Sequence, residues 1–267
     1  MKLFAFDVDQ TILPTGLTTL PLKEQEALSS LLSKGEAVAI ASGRNFMGIK
    51  QYLDVLTPGK RYAVSSNGSG VFNYEGQCIG EKTLPLSTLY HFYEEFKGKE
   101  GLVIYAYTDR DGLIQKGPHH YTEWEYNLNH MVSRFDLAKG EIPPTSTKLF
   151  KVMIASDSVD ISNSVRFSDE DKENYSIVRS DPLYLEVMPK GVDKATGVEM
   201  LRSYLKISPQ DVYCFGDADN DLGMISSFNG VAMGNATNNC KKAAKFITKD
   251  CKDDGVYYAL KTLLKVI

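Results

Sequence analysis

The chain has few cysteines: Cys78, Cys214, Cys240 and Cys251 are the four among 267 residues. No two stand as CxxC, and none stands at zinc-finger spacing from a histidine. A disulfide scaffold and a zinc module are therefore excluded, and the four are expected as reduced, partly buried small hydrophobes. There is no run of about 18 apolar residues, so no membrane span is expected. The residues before Asp7 are too few for a signal-peptide core, and a cytoplasmic location is expected. Positive charge is also short. Lys and Arg number 30 against 34 Asp and Glu, a formal net charge of −4. That argues against a generally basic nucleic-acid surface. Neither a tandem repeat nor a low-complexity tract is present. What remains is 43% hydrophobic and 24% charged residues, the balance of a globular protein. The length suits two domains or one large one.

The first 70 residues alternate strand-like runs with helical patterns. Leu3 to Phe6 is continuously apolar, as suits a strand buried on both faces. Pro21 opens a predicted helix with Leu28, Leu31 and Leu32 on one stripe, stopping at Gly35. Ala37 to Ile40 and Tyr62 to Val64 are further buried runs, the latter ending at Ser66-Asn67-Gly68. The pattern returns after an interruption. Asp193 is a good N-cap for a helix bearing Val198, Leu201 and Leu205. Val212 to Phe215 and Gly230 to Met233 read as strands, and a last helix is predicted over Val256 to Lys265. Strands separated by helices imply a doubly wound, parallel-sheet α/β core. The middle differs: its strands are polar-flanked, and aromatics gather at Tyr105, Tyr107, Tyr121, Trp124 and Tyr126. The expected organisation is a discontinuous core, 1–80 and 186–267, with an α+β domain, 81–185, inserted.

Four segments carry chemistry. Asp7-Val8-Asp9-Gln10-Thr11 follows the first strand, where open α/β sheets bind ligands. Two carboxylates brought to one point repel by roughly 4 kcal/mol at 4 Å and an effective dielectric of 20; a divalent cation or a raised pKa relieves this. Ser42-Gly43-Arg44 follows the second strand, with a hydroxyl and backbone that can approach an anion. Lys194 opens a helix, where the macrodipole disfavours a cation unless an anion lies opposite. Gly216-Asp217-Ala218-Asp219-Asn220-Asp221 follows a later strand and suits Mg²⁺ as a hard-oxygen cluster. Alone, each admits a plainer reading: a capped loop, a Ser N-cap, a solvated lysine, an acidic helix start. Together they supply a nucleophile, an acid/base, anion donors, a cation and metal ligands, the needs of phosphoryl transfer.

These segments resemble the haloacid dehalogenase superfamily of phosphohydrolases, and more closely its type IIB, Cof-like branch. Ser66-Asn67-Gly68, Val231-Ala232-Met233-Gly234-Asn235-Ala236 and Asp253-Asp254-Gly255-Val256 add to the likeness, which spans almost the whole chain. Two positions depart from the family pattern: Gln10 and Ala195 stand where glycine is usual. Gln10 is compatible with its place if the backbone there does not need a positive φ. The resemblance implies that Asp7 is the nucleophile and Asp9 the general acid/base. It implies Mg²⁺ held by Asp7, the Asp9 carbonyl and Asp217, with Asp221 nearby or acting through water. It implies phosphoryl oxygens held by Ser42, Gly43, Lys194, Asn220 and the Val8 N–H. The middle domain becomes a cap, with Arg179 and Tyr184 as candidate specificity residues beside Tyr105, Tyr107, Trp124 and His119-His120. The expected protein is a Mg²⁺-dependent phosphatase of small phosphorylated metabolites, with sugar phosphates foremost. It binds neither nucleic acid nor membrane and is a monomer or small homo-oligomer. Phosphatases of pyridoxal phosphate, nucleotides or flavin precursors, a phosphomutase and a non-catalytic sensor are the alternatives.

Overall fold

In the computed structural model, which describes all 267 residues, strand β1 (Leu3–Phe6) is buried along its whole length. Helix α1 (Leu22–Ser33) follows, with Pro21 as N-cap and Leu28, Leu31 and Leu32 buried. Then come β2 (Ala37–Ala41), α2 (Phe46–Asp54) and β3 (Lys60–Ser65). A hairpin of β4 (Gly70–Asn73) and β5 (Cys78–Glu81) continues the sheet antiparallel to β3.

The chain then enters a separate unit, Lys82–Val192. It runs through β6 (Leu84–Pro85), α3 (Leu86–Glu95), β7 (Leu102–Thr108), β8 (Gly112–Gln115), α4 (His120–Asn129) and β9 (Val132–Asp136). It goes on through β10 (Lys148–Ser156), α5 (Val159–Ser164), α6 (Asp169–Asn174), β11 (Tyr175–Asp181) and β12 (Tyr184–Pro189). The sheet order is β11-β12-β10-β7-β8-β9, with β6 paired to β10. Period-two alternation sorts the faces of β7 and β10. Ile104, Ala106, Val152 and Ile154 join Leu89, Phe92 and Phe96 in one apolar core. The alternate positions carry Tyr105, Tyr107, Lys151 and Met153, all buried. There the Tyr105 hydroxyl donates to Glu125 at 2.9 Å, and Lys151 meets Glu186 at 3.0 Å. The return to the first unit lies between Val192 and Asp193 rather than near 185. Residues 186–189 belong to β12, which pairs with both β10 and β11, so they cannot leave the second sheet.

The first unit resumes with α7 (Lys194–Tyr204), β13 (Val212–Gly216), α8 (Leu222–Ser227), β14 (Asn229–Ala232), α9 (Asn238–Ala243), β15 (Phe246–Ile247) and α10 (Gly255–Tyr258). Its last element is shorter than the expected helix, because α10 passes at once into a π-helical turn, Ala259–Leu263. The sheet order is β15-β14-β13-β1-β2-β3-β4-β5, parallel from β15 to β3. Strand β1 lies between β2 and β13. The chain winds outward on one side of β1 and later returns on the other, which makes the β1/β13 boundary the topological switch point. No helix is long and apolar enough to cross a membrane.

Gln10 takes φ 61°. Its place therefore requires the left-handed conformation, contrary to the condition under which glutamine was compatible there. That conformation costs a non-glycine residue about 1–2 kcal/mol, and glycine returns about 0.5–1 kcal/mol of this as lost chain entropy. Gln10→Gly is expected to raise stability by about 0.5–1 kcal/mol, read as a higher urea midpoint at unchanged slope. A lower midpoint would show that the Gln10 side chain, which donates to Thr15, outweighs the strain.

Candidate active site

Asp7 is the first residue beyond β1, and its N–H donates to the Phe215 carbonyl of β13 at 3.0 Å. Asp217 is the first beyond β13. Parallel pairing of Phe6 with Phe215 thus sets the two carboxylates side by side at the switch point. The turn after β13 folds back tightly. A Cβ on Gly216 would lie 2.5 Å from the Asp221 Cβ, so only glycine admits the Asp221 side chain there. Asp221 Oδ2 accepts the N–H groups of Asp217 and Ala218 at 3.0 and 3.1 Å.

Lys194 is the first residue of α7 and is 1% exposed. Its Nζ donates to Asp7 Oδ1 at 2.6 Å and to Asp221 Oδ1 at 2.7 Å. The anion that the macrodipole argument called for is therefore a pair of buried carboxylates. Asp193 caps the helix, accepting from Thr196 N at 2.8 Å. The turn at Ser66-Asn67-Gly68 has three successive positive φ values, 49°, 53° and 98°. It packs so closely on this helix start that a Cβ on Gly68 would lie 1.9 Å from the Asp193 carbonyl oxygen.

Oxygens of Asp7, Asp217 and Asp221 all lie within 4.8 Å of one another. Burial pushes the Asp7 carboxyl up to about 8, Asp221 adds to this, and Lys194 opposes it. Burial and Asp221 likewise push Asp217 up to about 6, against a Thr11 hydrogen bond. Burial alone would depress the Lys194 ammonium, but Asp221 and Asp7 outweigh it and hold it above its ordinary value. With all groups ionised, three carboxylates and one ammonium leave a net charge of −2. The hard-oxygen donors and that charge both suit one divalent cation. Asp221 Oδ1 accepts the Lys194 ammonium and Oδ2 accepts two N–H groups, whereas Asp7 Oδ1 accepts Lys194 and each Asp217 oxygen accepts one bond, from Thr11 and, at 3.5 Å, from Asn235, which leaves Asp7 and Asp217 more lone pairs for a metal.

The structure does not bring every expected residue into this cluster. The Asp9 carboxylate is 62% exposed and is held by Arg44, whose Nη2 lies 3.0 and 3.3 Å from its two oxygens. Val8 is buried, and its carbonyl accepts the N–H groups of Thr11, Ile12 and Leu13. Ser42 is buried at the end of β2, its Oγ accepting Arg44 N at 3.3 Å. The Gly43 Cα faces Asn67, whose Oδ1 would lie 3.3 Å from an added Cβ. Asn220 is exposed in the turn before α8. In the second unit, Arg179 is engaged by Ser162 and by the Pro182 carbonyl at 3.0 Å. Tyr184 packs edge-on to Tyr121, with ring centroids 5.3 Å apart. Tyr105 and Tyr107 are buried, Trp124 is exposed, and His119 caps α4. The site also uses residues to which the sequence reading gave no role. Thr11 Oγ1 donates to Asp217 at 3.3 Å, and Asn235 Nδ2 donates to the Gln10 carbonyl at 2.9 Å. Both lie inside the motifs already singled out, and that was their only signal.

A sequence profile of haloacid dehalogenase-like hydrolases matches residues 4–260. The chain is a haloacid dehalogenase-like hydrolase. It is 29% identical to YkrA of Bacillus subtilis, provisionally named a phosphatase, over 98% of this chain and 97% of that one. It is 25% identical to YcsE of the same organism, a 5-amino-6-(5-phospho-D-ribitylamino)uracil phosphatase, over 98% and 95%. A haloacid dehalogenase-like hydrolase from Bacteroides thetaiotaomicron has the same fold, with TM-score 0.85, 27% identity and coverage of 98% and 99%. The fold is shared too by the subclass IIB sugar phosphatase BT4131, with TM-score 0.76, 21% identity and full coverage of both chains, 100% and 100%. Its α/β core is the fold of these structures; with the family match and its relatives this hydrolase is a phosphatase, and such hydrolases are generally metal-dependent.

Proposed function

We propose that this hydrolase is a Mg²⁺-dependent phosphatase of small phosphorylated metabolites, acting through an aspartyl-phosphate on Asp7. The observation that carries the reading is the Lys194 ammonium bridging Asp7 and Asp221, with Asp217 beside them. A carboxylate attacks a phosphate dianion only where positive charge offsets both. Asp7, Asp217 and the Asp9 carbonyl would hold Mg²⁺, with Asp221 acting through Lys194 and the turn. The cation would neutralise the phosphoryl oxygens and keep Asp7 ionised at neutral pH. An Asp7 oxygen attacks phosphorus, and the bond from phosphorus to the ester oxygen breaks. Asp9 gives its proton to that oxygen. In the second step Asp9 takes a proton from water as the water oxygen attacks phosphorus. The bond to Asp7 then breaks, inorganic phosphate leaves and the carboxylate is restored. Lys194, Ser42, Gly43, Asn220 and the Val8 N–H are assigned to the phosphoryl oxygens.

Sugar phosphates are the substrate class we favour. BT4131 is a sugar phosphatase of the same fold, and the YcsE substrate carries a phosphorylated ribityl chain. The second unit is assigned the role of cap, with Tyr184 as a candidate specificity residue. Arg179 is the weaker candidate, since Ser162 and Pro182 already occupy its guanidinium. Hydrolysis of p-nitrophenyl phosphate with Mg²⁺, lost on chelation and restored by the metal, is the expected result. No turnover of that ester or of a broad panel of phosphorylated metabolites would sink the proposal in favour of a sensor.

The raised carboxyls also predict a pH dependence. The Asp7 carboxyl sits at about 8 against an ordinary 3.8, so ionising it costs more in the folded protein than in the unfolded one. Metal-free stability from this group is full below its ordinary value and falls as pH rises toward 8. Asp217 acts the same way up to about 6. Mg²⁺ binds the ionised forms and removes the penalty. The Mg²⁺-induced rise in Tm should therefore be larger at about pH 8.5 than at about pH 5.5. An equal rise at both, by scanning fluorimetry, would show that the metal does not bind these carboxylates.

A further inference from the structure

Arg44 is spent on one partner and holds more capacity than that partner uses. Its side chain is 13% exposed, while the Asp9 side chain opposite is 62% exposed. Only Nη2 reaches Asp9. The Nε and Nη1 atoms are buried and hydrogen-bond to nothing. Buried guanidinium donors without acceptors are rare and costly, and a ligand that supplies the acceptors relieves that cost. The guanidinium lies 5.7 Å from the Tyr52 ring centroid, and its backbone is anchored by Ser66 N donating to the Arg44 carbonyl at 2.8 Å. The head is thus positioned, and the donors on Nε and Nη1 are unused.

The pairing with Asp9 has a consequence for catalysis. An acid that protonates the ester oxygen must carry its carboxyl to that oxygen, off the guanidinium, and it is neutral when it does so. Either change leaves Arg44 as a largely buried cation without a counter-charge. A hydroxyl offers it an acceptor but no charge, whereas an anion offers both.

We propose that Arg44 receives a second anionic group, a carboxylate or a second phosphate, carried on the leaving portion of the substrate, and that this group displaces Asp9 and frees it for proton transfer. The proposal rests on the phosphatase reading and narrows its substrates to phosphomonoesters with a second negative charge. The exchange is one anion for another on Nη2, with a second oxygen of the incoming anion reaching Nε or Nη1. No bond is made or broken at Arg44.

The test uses matched pairs that differ at the second group: 6-phosphogluconate against sorbitol 6-phosphate, 3-phosphoglycerate against glycerol 3-phosphate, and fructose 1,6-bisphosphate against fructose 6-phosphate. The first two pairs read a carboxylate and the third a phosphate. Wild-type kcat/KM with Mg²⁺ should favour the anionic member of at least one pair by about tenfold or more. Arg44→Gln should bring that ratio to about one, and Arg44→Lys should keep part of it. A wild type that favours the anionic member of no pair, or an Arg44→Gln variant with the wild-type ratio, overturns the assignment. Should no pair be turned over, p-nitrophenyl phosphate and the broad panel decide the phosphatase reading separately. Thermal-shift titration of both proteins with the same pairs then decides Arg44 by binding alone: an anion preference lost in Arg44→Gln supports it, and no preference overturns it.

Discussion

Asp7→Asn is expected to lower kcat for p-nitrophenyl phosphate by at least about 10⁴-fold, the scale on which removal of a nucleophile acts when its partners cannot replace it. Asparagine keeps the shape of the side chain and can still accept from Lys194, so loss of fold is not the cause. Its amide cannot form the acyl-phosphate. The substitution also has a signature in stability. The Asp7 carboxyl is held at about 8 by burial and by Asp221, so the metal-free wild type loses stability as pH rises through that region. A neutral Asn takes no part in this. The metal-free variant should lose less Tm than wild type between about pH 5 and pH 8. Steady-state kinetics and scanning fluorimetry on one preparation check both statements. Turnover within tenfold of wild type would remove Asp7 from the nucleophile role.

Lys194→Met should be the most destabilising single change in the site. The ammonium is 1% exposed, and the carboxylates it bridges are 9% and 0% exposed. Taking one partner from a buried ion pair leaves charge without compensation and costs about 3–5 kcal/mol. Here two carboxylates lose the same cation. With the carboxylates ionised, the cluster moves from a net charge of −2 to −3, so added Mg²⁺ should recover part of the loss. Turnover should fall by about 10²–10³-fold, the usual effect of removing one preorganised donor to transition-state charge. Urea denaturation with and without Mg²⁺ reads the first effect, and phosphatase kinetics the second. A stability loss under about 1 kcal/mol would mean that the two carboxylates are protonated or solvated once the lysine is gone.

Much of the core was legible along the chain because its strands are short, buried on both faces and bounded by turn residues. The expected run Leu3 to Phe6 is β1 itself, and the runs at Ala37 and Val212 extend by one residue each. Lys194 was legible for a different reason. A lysine at a capped helix start opposes the macrodipole, and the conflict pointed to an anion. The pairing of Asp9 with Arg44 was not legible, because side-chain direction in a loop depends on a neighbour reached through another strand. The positive φ at Gln10 was hidden for a similar reason. Glutamine does not advertise that conformation, which it takes in the turn where the Thr11, Ile12 and Leu13 N–H groups converge on the Val8 carbonyl. The return from the second unit lies later than the expected 185 because residues 186–189 pair with β10 and β11, a long-range contact that their own pattern does not announce.

The order of the motifs, the strand or helix end that each one follows, and the sort of chemistry their side chains permit were determined by sequence alone, since composition and periodicity are local properties. Which of them meet was decided only by the tertiary structure. Lys194 reaches Asp7 across 187 positions and Asp221 across 27. That meeting exists because β1 lies between β2 and β13 in parallel register. Strand order is set by packing among elements far apart in the chain, and hydrophobic patterning within each element does not encode it.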